Sequence, residues 1–468
     1  MPVEATAIGA VQQARPAQAE WLQVPLRERL RVIRKLRHAI AAEGLDLCEL
    51  FPDELARDPA QSLTAEIIPL ADACRFLERE AEQILAPRRV SKKSRPFWMS
   101  GVELELQRDP LGVVLIVAPA NYPLFIAGVQ AVQALASGNA VLLKPGRGCS
   151  TLAAAFRSLA LKAGVPEKLF QLLPEQIESV QAAIAGGIDK VFVTGSRETG
   201  WAVYGQAADQ LIPAVLELSG ADPVFIQAGA DLDRAAKAIL FGRRWNNGNT
   251  CIVPRRIFVH ESISYEFEQR LRKRSGSRIV DLPITRFRND DHALHLAAQS
   301  HYALGASVFG DRSTAESFAS RVNAGVVVLN DIIAPTADPR IPFGGRGWSG
   351  FGTTRGAEGL LEFTTLKAVV TQTARRLRHL EPLPENATEL FAAYLAAVHQ
   401  MPGKRLRAWQ HLLSTLLRQS NRNTKYNSGI VAAHTACWQR LLSALIRPRK
   451  RKTRHGAGSV SALKDQLP

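Results

Sequence analysis

The chain has 468 residues, 46% of them hydrophobic and 22% charged, with a formal net charge of +16. That length is enough for two or three domains with sizeable cores, and the composition excludes a disordered or fibrous chain. Five scattered cysteines, Cys48, Cys74, Cys149, Cys251 and Cys437, exclude a disulfide framework and a zinc site of regular ligand spacing, and they fit a reducing compartment.

In chain order, Met1 to Glu20 has no basic segment followed by an apolar core, so no secretory signal is read and a cytoplasmic location is expected. Leu26, Leu30, Ile33, Leu36 and Ile40 recur at helical spacing, and a second helical pattern runs from Ala65 to Leu85. Together they predict an N-terminal helical layer. Val102, Leu104 and Leu106 alternate with Glu103, Glu105 and Gln107, which predicts a half-exposed strand suited to pairing with another subunit. From Pro110 to Leu143 no residue is charged, which raises a membrane span. Pro119, Asn121 and Pro123 interrupt that stretch, and a β-branched half precedes a small apolar half. Strand, turn and buried helix is therefore the expectation, with Asn121 at the turn. Up to about Leu218 short apolar strands alternate with Ala-rich helices, as in a parallel sheet covered on both faces.

A second α/β segment spans Ala221 to about Val370, and strand-like sequence returns over Phe363 to Thr371. Beyond it the charge concentrates: residues 372–468 hold 17 Lys and Arg against 4 Asp and Glu. Apolar positions at Leu390, Phe391, Tyr394, Leu395, Trp409, Leu412, Leu413 and Leu416 predict helices there, and the run Arg447 to Arg454 reads as disordered. Such an appendage fits contact with nucleic acid or an anionic membrane surface, and equally a tail that only aids solubility.

Chemistry centres on Cys251, in the Gly/Asn turn Asn247-Gly248-Asn249-Thr250-Cys251, and on Glu217, 34 residues earlier before the small-residue turn Ser219-Gly220. A thiol nucleophile with a separate carboxylate base is the minimum for acyl chemistry through a thio-intermediate. Residue type alone also fits an inert buried cysteine and a solvated surface carboxylate. The polar turn predicts an accessible thiol of lowered pKa, the fastest in the chain to alkylate.

The motifs around this pair are ordered. They run from Pro110-Leu111-Gly112 and Pro119-Ala120-Asn121 through Gly138-Asn139-Ala140-Val141 to Lys144-Pro145, then to Phe192-Val193-Thr194-Gly195-Ser196 with Gly200. After Glu217 and Cys251 come Gly325 to Asn330, Pro342-Phe343-Gly344-Gly345, Ser349-Gly350, and Gly359-Leu360 with Phe363 to Lys367. Over about residues 20 to 370 the chain resembles the aldehyde dehydrogenase superfamily.

The resemblance implies an α/β protein with a Rossmann-like parallel-sheet cofactor domain, a second α/β catalytic domain, a helical N-terminal layer and a helical C-terminal extension. The corresponding ranges are 1–95 for the layer, 96–220 for dinucleotide binding, 221–350 for catalysis, 351–371 for a return strand used in association, and 372–468 for the basic extension. It implies a homodimer that oxidises an aldehyde with NADP or NAD. Cys251 would be the nucleophile, Glu217 the base, and Asn121 the side-chain donor to the developing oxyanion. Lys144, Arg147, Gly195, Ser196 and Gly200 would hold the cofactor. No metal is implied. An acylating relative that passes the acyl group to coenzyme A, and a non-catalytic scaffold, are the alternatives.

Four departures stand out. Ala120 replaces the usual Trp, and Ser219 replaces a small residue after the Glu. Arg147 stands where NAD-preferring members often carry a Glu, which favours NADP. The Glu-Ile-Phe-Gly-Pro motif is missing, and the sequence jumps from Leu271-Arg272-Lys273 to Asp281-Leu282-Pro283-Ile284, so the catalytic domain is expected to be internally shortened.

Overall fold

The computed structural model describes residues 3–96, 99, 101–275, 283–375 and 377–423. It divides into two compact units, Met1–Thr373 and Ala374–Pro468. Among the described residues no helix is long and apolar enough to cross a membrane.

In the first unit the helical layer begins earlier than the periodic pattern suggests. A helix spans Val3–Leu22 and buries Ala7, Val11, Ala14 and Trp21, and the Trp21 indole donates to the Leu135 carbonyl at 2.9 Å. The helices Leu26–Ala42 and Ile68–Leu85 follow, the first burying Leu30, Ile33, Leu36 and Ile40 as their spacing requires. The uncharged stretch resolves into the fully buried strand Val113–Val117, a turn, and the helix Phe125–Ser137, in which every residue except Ile126 is buried. It is apolar because both faces of its sheet are covered, not because it meets lipid.

The six-stranded sheet runs in the order Gly350–Phe351, Ala214–Leu218, Lys190–Gly195, Val113–Val117, Ala140–Lys144 and Phe170–Leu172. All pairings are parallel except the first, where Gly350 lies opposite Glu217. The five-stranded sheet is wholly parallel, in the order Ile284–Phe287, Arg256–His260, Pro223–Ile226, Gly305–Phe309 and Val326–Leu329. Helix Ser264–Ser275 leads into the segment that sequence reading treats as shortened, and the chain returns as the strand Ile284–Phe287 in register with Ile257 to His260. The chain thus supplies an edge strand to this sheet directly after that segment.

A third sheet corrects one expectation. Strand Val102–Pro110 lies between Arg88–Arg89 and Thr364–Gln372, so partners within the chain flank it. The outer strand is the nine-residue Thr364–Gln372, with Leu366 52% and Val370 61% exposed.

In the second unit the helices Ala387–His399 and Pro402–Asn423 pack around Ala393, Ala397 and Leu412, with Leu390, Tyr394 and Trp409 beside them. The helical pattern read from sequence is present, whereas the run Arg447 to Arg454 lies outside the described residues.

Candidate active site

The predicted site residues gather at the carboxyl ends of the parallel strands, where open α/β sheets bind their ligands. The Asn121 turn follows Val113–Val117, Lys144 ends Ala140–Lys144, Gly195 ends Lys190–Gly195, and Glu217 is the penultimate residue of Ala214–Leu218. The turn after Glu217 meets the cysteine loop directly. A Cβ on Gly220 would lie 2.8 Å from the Cys251 carbonyl oxygen and 2.4 Å from Asp222 Oδ1, so this approach requires glycine. It is how two residues 34 apart in sequence come to share one cavity.

That cavity, about 220 Å³, is lined by Glu217, Cys251, Thr354 and Arg355 together with Tyr122, Phe125, Trp245 and Phe343. Glu217 is only 4% exposed, which excludes the solvated surface carboxylate. It accepts a hydrogen bond from Thr354 Oγ1 at 2.9 Å, and burial pushes its pKa up while Arg355 and Thr354 hold it down. Thr354 and Phe343 exchange two backbone hydrogen bonds, 2.6 and 2.7 Å, which bring the Pro342-Phe343-Gly344-Gly345 block to the same cavity.

Cys251 corrects the expectation of a lowered pKa. The thiol is half-buried, and burial raises its pKa, with the negative charges of Glu217 and Asp222 acting in the same direction. Arg355 opposes them. Sequence reading missed this arginine, which is buried, donates to the Thr336 carbonyl, and stacks over Phe343 at 4.3 Å and Phe125 at 5.5 Å. Its only signal in sequence is a charge between Thr354 and Gly356 in an otherwise small and polar run.

A second group that sequence reading missed holds the cysteine loop. Asn246 and Asn247 both sit at φ 50° and Gly248 at φ 75°, a left-handed run that Asn and Gly tolerate best. Arg57, from the N-terminal layer, donates to Asn246 Oδ1 at 2.7 Å and to the Asn121 carbonyl, and forms an ion pair with Glu66. Glu66 in turn accepts the backbone N–H groups of Leu124 (3.0 Å) and Phe125 (2.7 Å) at the start of helix Phe125–Ser137. It belongs to a single π-helical turn, Leu63–Ile67, a distortion often found at functional sites. Asn121 donates one amide hydrogen to the Asn249 carbonyl at 2.6 Å, two residues before the cysteine. A primary amide carries two hydrogens, so this bond uses one of them. Tyr122, not Asn121, lines the cavity wall.

Among the residues expected to hold the cofactor, Lys144 is half-buried, and burial lowers its pKa while Glu175 raises it. Gly146 lets the Lys144 loop pass the Asn121 turn, since a Cβ there would lie 2.4 Å from the Pro119 carbonyl. Arg147 is exposed. Glu175, also missed in sequence, accepts the backbone N–H groups of Gly148 (2.8 Å) and Ser150 (2.9 Å) at the start of helix Ser150–Ala163. Ser196 caps helix Arg197–Asp209 by accepting the Thr199 N–H at 3.2 Å. Gly200 is buried against Leu218, where a Cβ would lie 2.4 Å from Cδ2, so it acts through close helix–strand packing.

Because its pKa is raised, the Cys251 thiol should alkylate slowly at pH 7, with a rate still climbing between pH 8 and 9. Arg355→Met removes the opposing cation and should slow alkylation further at every pH. Iodoacetamide labelling read by peptide mass spectrometry checks both, and a rate that levels off below pH 7.5 would contradict the raised pKa.

The sequence profile of the aldehyde dehydrogenase family matches residues 3–281 and 282–369, so its break falls where the shortened segment was expected. The chain is 28% identical to 4,4′-diapolycopene aldehyde oxidase of Methylomonas sp, over 83% of this chain and 86% of that one. It is 27% identical to a putative succinate-semialdehyde dehydrogenase (NADP(+)) 2 of Mycobacterium bovis, over 85% and 90%. Among solved structures, AldH of Staphylococcus aureus superposes with a TM-score of 0.74 at 22% identity, over 83% of this chain and 99% of that one. A point mutant of betaine aldehyde dehydrogenase of the same organism, in complex with NAD+, gives 0.73 at 22%, over 80% and 91%. With its profile covering most of its length, the chain belongs to the aldehyde dehydrogenase family.

Proposed function

We infer that this chain oxidises an aldehyde to a carboxylic acid with NAD or NADP as acceptor. The observation that carries the reading is the meeting of Cys251, Glu217 and Arg355 in one cavity. The Cys251 thiolate adds to the aldehyde carbon, and the oxygen gathers negative charge for which Asn121, next to the wall residue Tyr122 rather than in the wall itself, would have to turn its second amide hydrogen inward. Loss of one such donor typically costs about a hundred- to a thousandfold in rate. The nicotinamide supplies the hydride acceptor, which leaves a thioester on Cys251. Glu217 then takes a proton from the water that attacks the thioester, releasing the acid and the thiol. A buried carboxylate of raised pKa beside the cysteine supports hydrolysis over transfer to coenzyme A. Both Glu217 and Cys251 must be deprotonated to act, so activity should rise from pH 6 towards pH 9.

Lys144 and the start of helix Arg197–Asp209 suit a dinucleotide: a half-buried cation at a strand end for the ribose side, and a helix N-terminus for the pyrophosphate, although Ser196 already accepts the Thr199 N–H there. Cys251→Ala should abolish turnover in a folded protein, and Glu217→Gln should slow thioester hydrolysis while leaving a burst of reduced cofactor. Stopped-flow absorbance checks both, and steady turnover by Cys251→Ala would reject the reading.

For the choice of cofactor, Arg147 and Lys144 favour a 2′-phosphate through charge-assisted bonds, each worth about 1.5–3 kcal/mol, while the carboxylate of Glu175 opposes it. The sum favours NADP. Arg147→Glu should lower the NADP to NAD ratio of kcat/KM about tenfold or more. An unchanged ratio would remove Arg147 from the cofactor site.

The outer strand Thr364–Gln372 offers its open edge to a second copy, giving a homodimer. The basic extension adds an electrostatic contact with nucleic acid or anionic lipid, the finer choice being open to experiment. Protein truncated after Thr373 should keep a dimer mass by light scattering and lose salt-sensitive retention on RNA or anionic vesicles. If the full-length chain shows no such retention at low salt, the extension serves solubility alone.

A further inference from the structure

We propose that the turn joining the helices Ala387–His399 and Pro402–Asn423 inserts into an anionic lipid surface and holds the chain there. This rests on the reading above that the extension makes an electrostatic contact, and it names the partner. The two helices pack around Ala393, Ala397 and Leu412. The large apolar side chains left outside that core gather toward the turn: Phe391 is 53%, Leu395 62%, Met401 79% and Leu406 70% exposed. Met401 lies in the turn itself. Leu395 and Leu406 each stand four residues from the helix end that adjoins it, about 6 Å along the axis.

Charge is graded along the hairpin in the same direction. Lys404, Arg405 and Arg407 are exposed beside the turn. Arg405 Nε donates to the Gln400 carbonyl at 2.5 Å, which keeps its guanidinium there. The one carboxylate in these two helices, Glu389, sits at the far end, in the first turn of Ala387–His399 and 3.8 Å from His411. After it, from Leu390 to Lys464, the chain holds 14 Lys and Arg and no Asp or Glu.

Basic charge alone would suit the phosphates of nucleic acid and of lipid equally. The exposed apolar groups separate the two. Single-stranded nucleic acid is held by aromatic and guanidinium surfaces that stack on its bases, whereas Leu395, Met401 and Leu406 are aliphatic. A bilayer accommodates both kinds of side chain: its anionic headgroups attract Lys and Arg, and its acyl boundary takes aliphatic surface out of water. In sequence, the apolar-rich stretch Trp438 to Ile446 ahead of the basic run Arg447 to Arg454 repeats the pairing. Stable attachment without a spanning helix takes more than one such signal.

The test is flotation of the full-length protein with vesicles of phosphatidylcholine alone and of equimolar phosphatidylcholine and phosphatidylglycerol, beside retention on single-stranded RNA. The expected result is binding to the anionic vesicles that falls with salt yet keeps a salt-resistant part. Leu395→Gln with Leu406→Gln should lower partitioning about tenfold or more and remove the salt-resistant part. Lys404→Glu with Arg407→Glu should lower it about tenfold or more on anionic vesicles and leave neutral vesicles unaffected. All four side chains are exposed, and circular dichroism with the thermal midpoint checks that each variant keeps its fold. Vesicle binding left unchanged by the two apolar substitutions would overturn the proposal. Retention on RNA without vesicle binding would also overturn it, while keeping the electrostatic reading. A mass by light scattering that falls with the apolar substitutions, again without vesicle binding, would assign the exposed face to a second copy instead. Binding to neither vesicles nor RNA at low salt would reject the electrostatic reading as well.

Discussion

The ion pair between Arg57 and Glu66, with side chains 1% and 0% exposed, is the contact on which the candidate site depends. It ties three distant pieces of chain together: the N-terminal layer, the turn at Asn121 and the loop before Cys251. Each charge is satisfied several times over, Arg57 by Asn246 and the Asn121 carbonyl, and Glu66 by two backbone amides. That matters because removing one member of a buried pair leaves the other uncompensated, typically at about 3–5 kcal/mol. The pair therefore does more to specify where the segments meet than to add net stability. Arg57 also lies over the Tyr122 ring at 4.9 Å, so the same guanidinium supports the cavity wall.

Within the cavity the electrostatics are opposed by arrangement. Burial disfavours the charged forms of Glu217, Cys251 and Arg355 alike, yet the chemistry requires a thiolate and a carboxylate. Two anions close together in a poorly hydrated space raise each other's pKa, and Arg355 is the cation that moderates both. The result is a Cys251 thiol whose pKa is raised.

The five-stranded sheet is continuous on both sides of the segment where the sequence leads one to expect a shortening. Ile284–Phe287 still pairs in register with Arg256–His260, and the core around Ile257, Val259 and Phe267 is closed. The loops that form the site lean instead on glycines at close backbone approaches, such as Gly220 against the Cys251 carbonyl and Gly350 against that of Leu216. Such approaches depend on local backbone geometry rather than on the length of the chain between them.

Sequence by itself determined the alternation of strands and helices, because burial on both faces of a sheet demands uninterrupted apolar strands such as Val113–Val117. It also made Cys251 and Glu217 stand out, because nucleophile and base chemistry restricts residue type and the flanking motifs are short and ordered. It could not show helix Val3–Leu22, whose Ala-rich face carries a weak periodic signal. Nor could it show Arg57, Glu66, Glu175 or Arg355, for a charged residue in isolation reads as surface. Only tertiary structure decided that Arg57, Glu66 and Arg355 are buried and that Glu175 caps a helix beside Lys144. The direction of the Cys251 pKa was decided in the same way. A pKa follows from the desolvation and charge that surround a group in space, and those neighbours come from segments far apart in the chain.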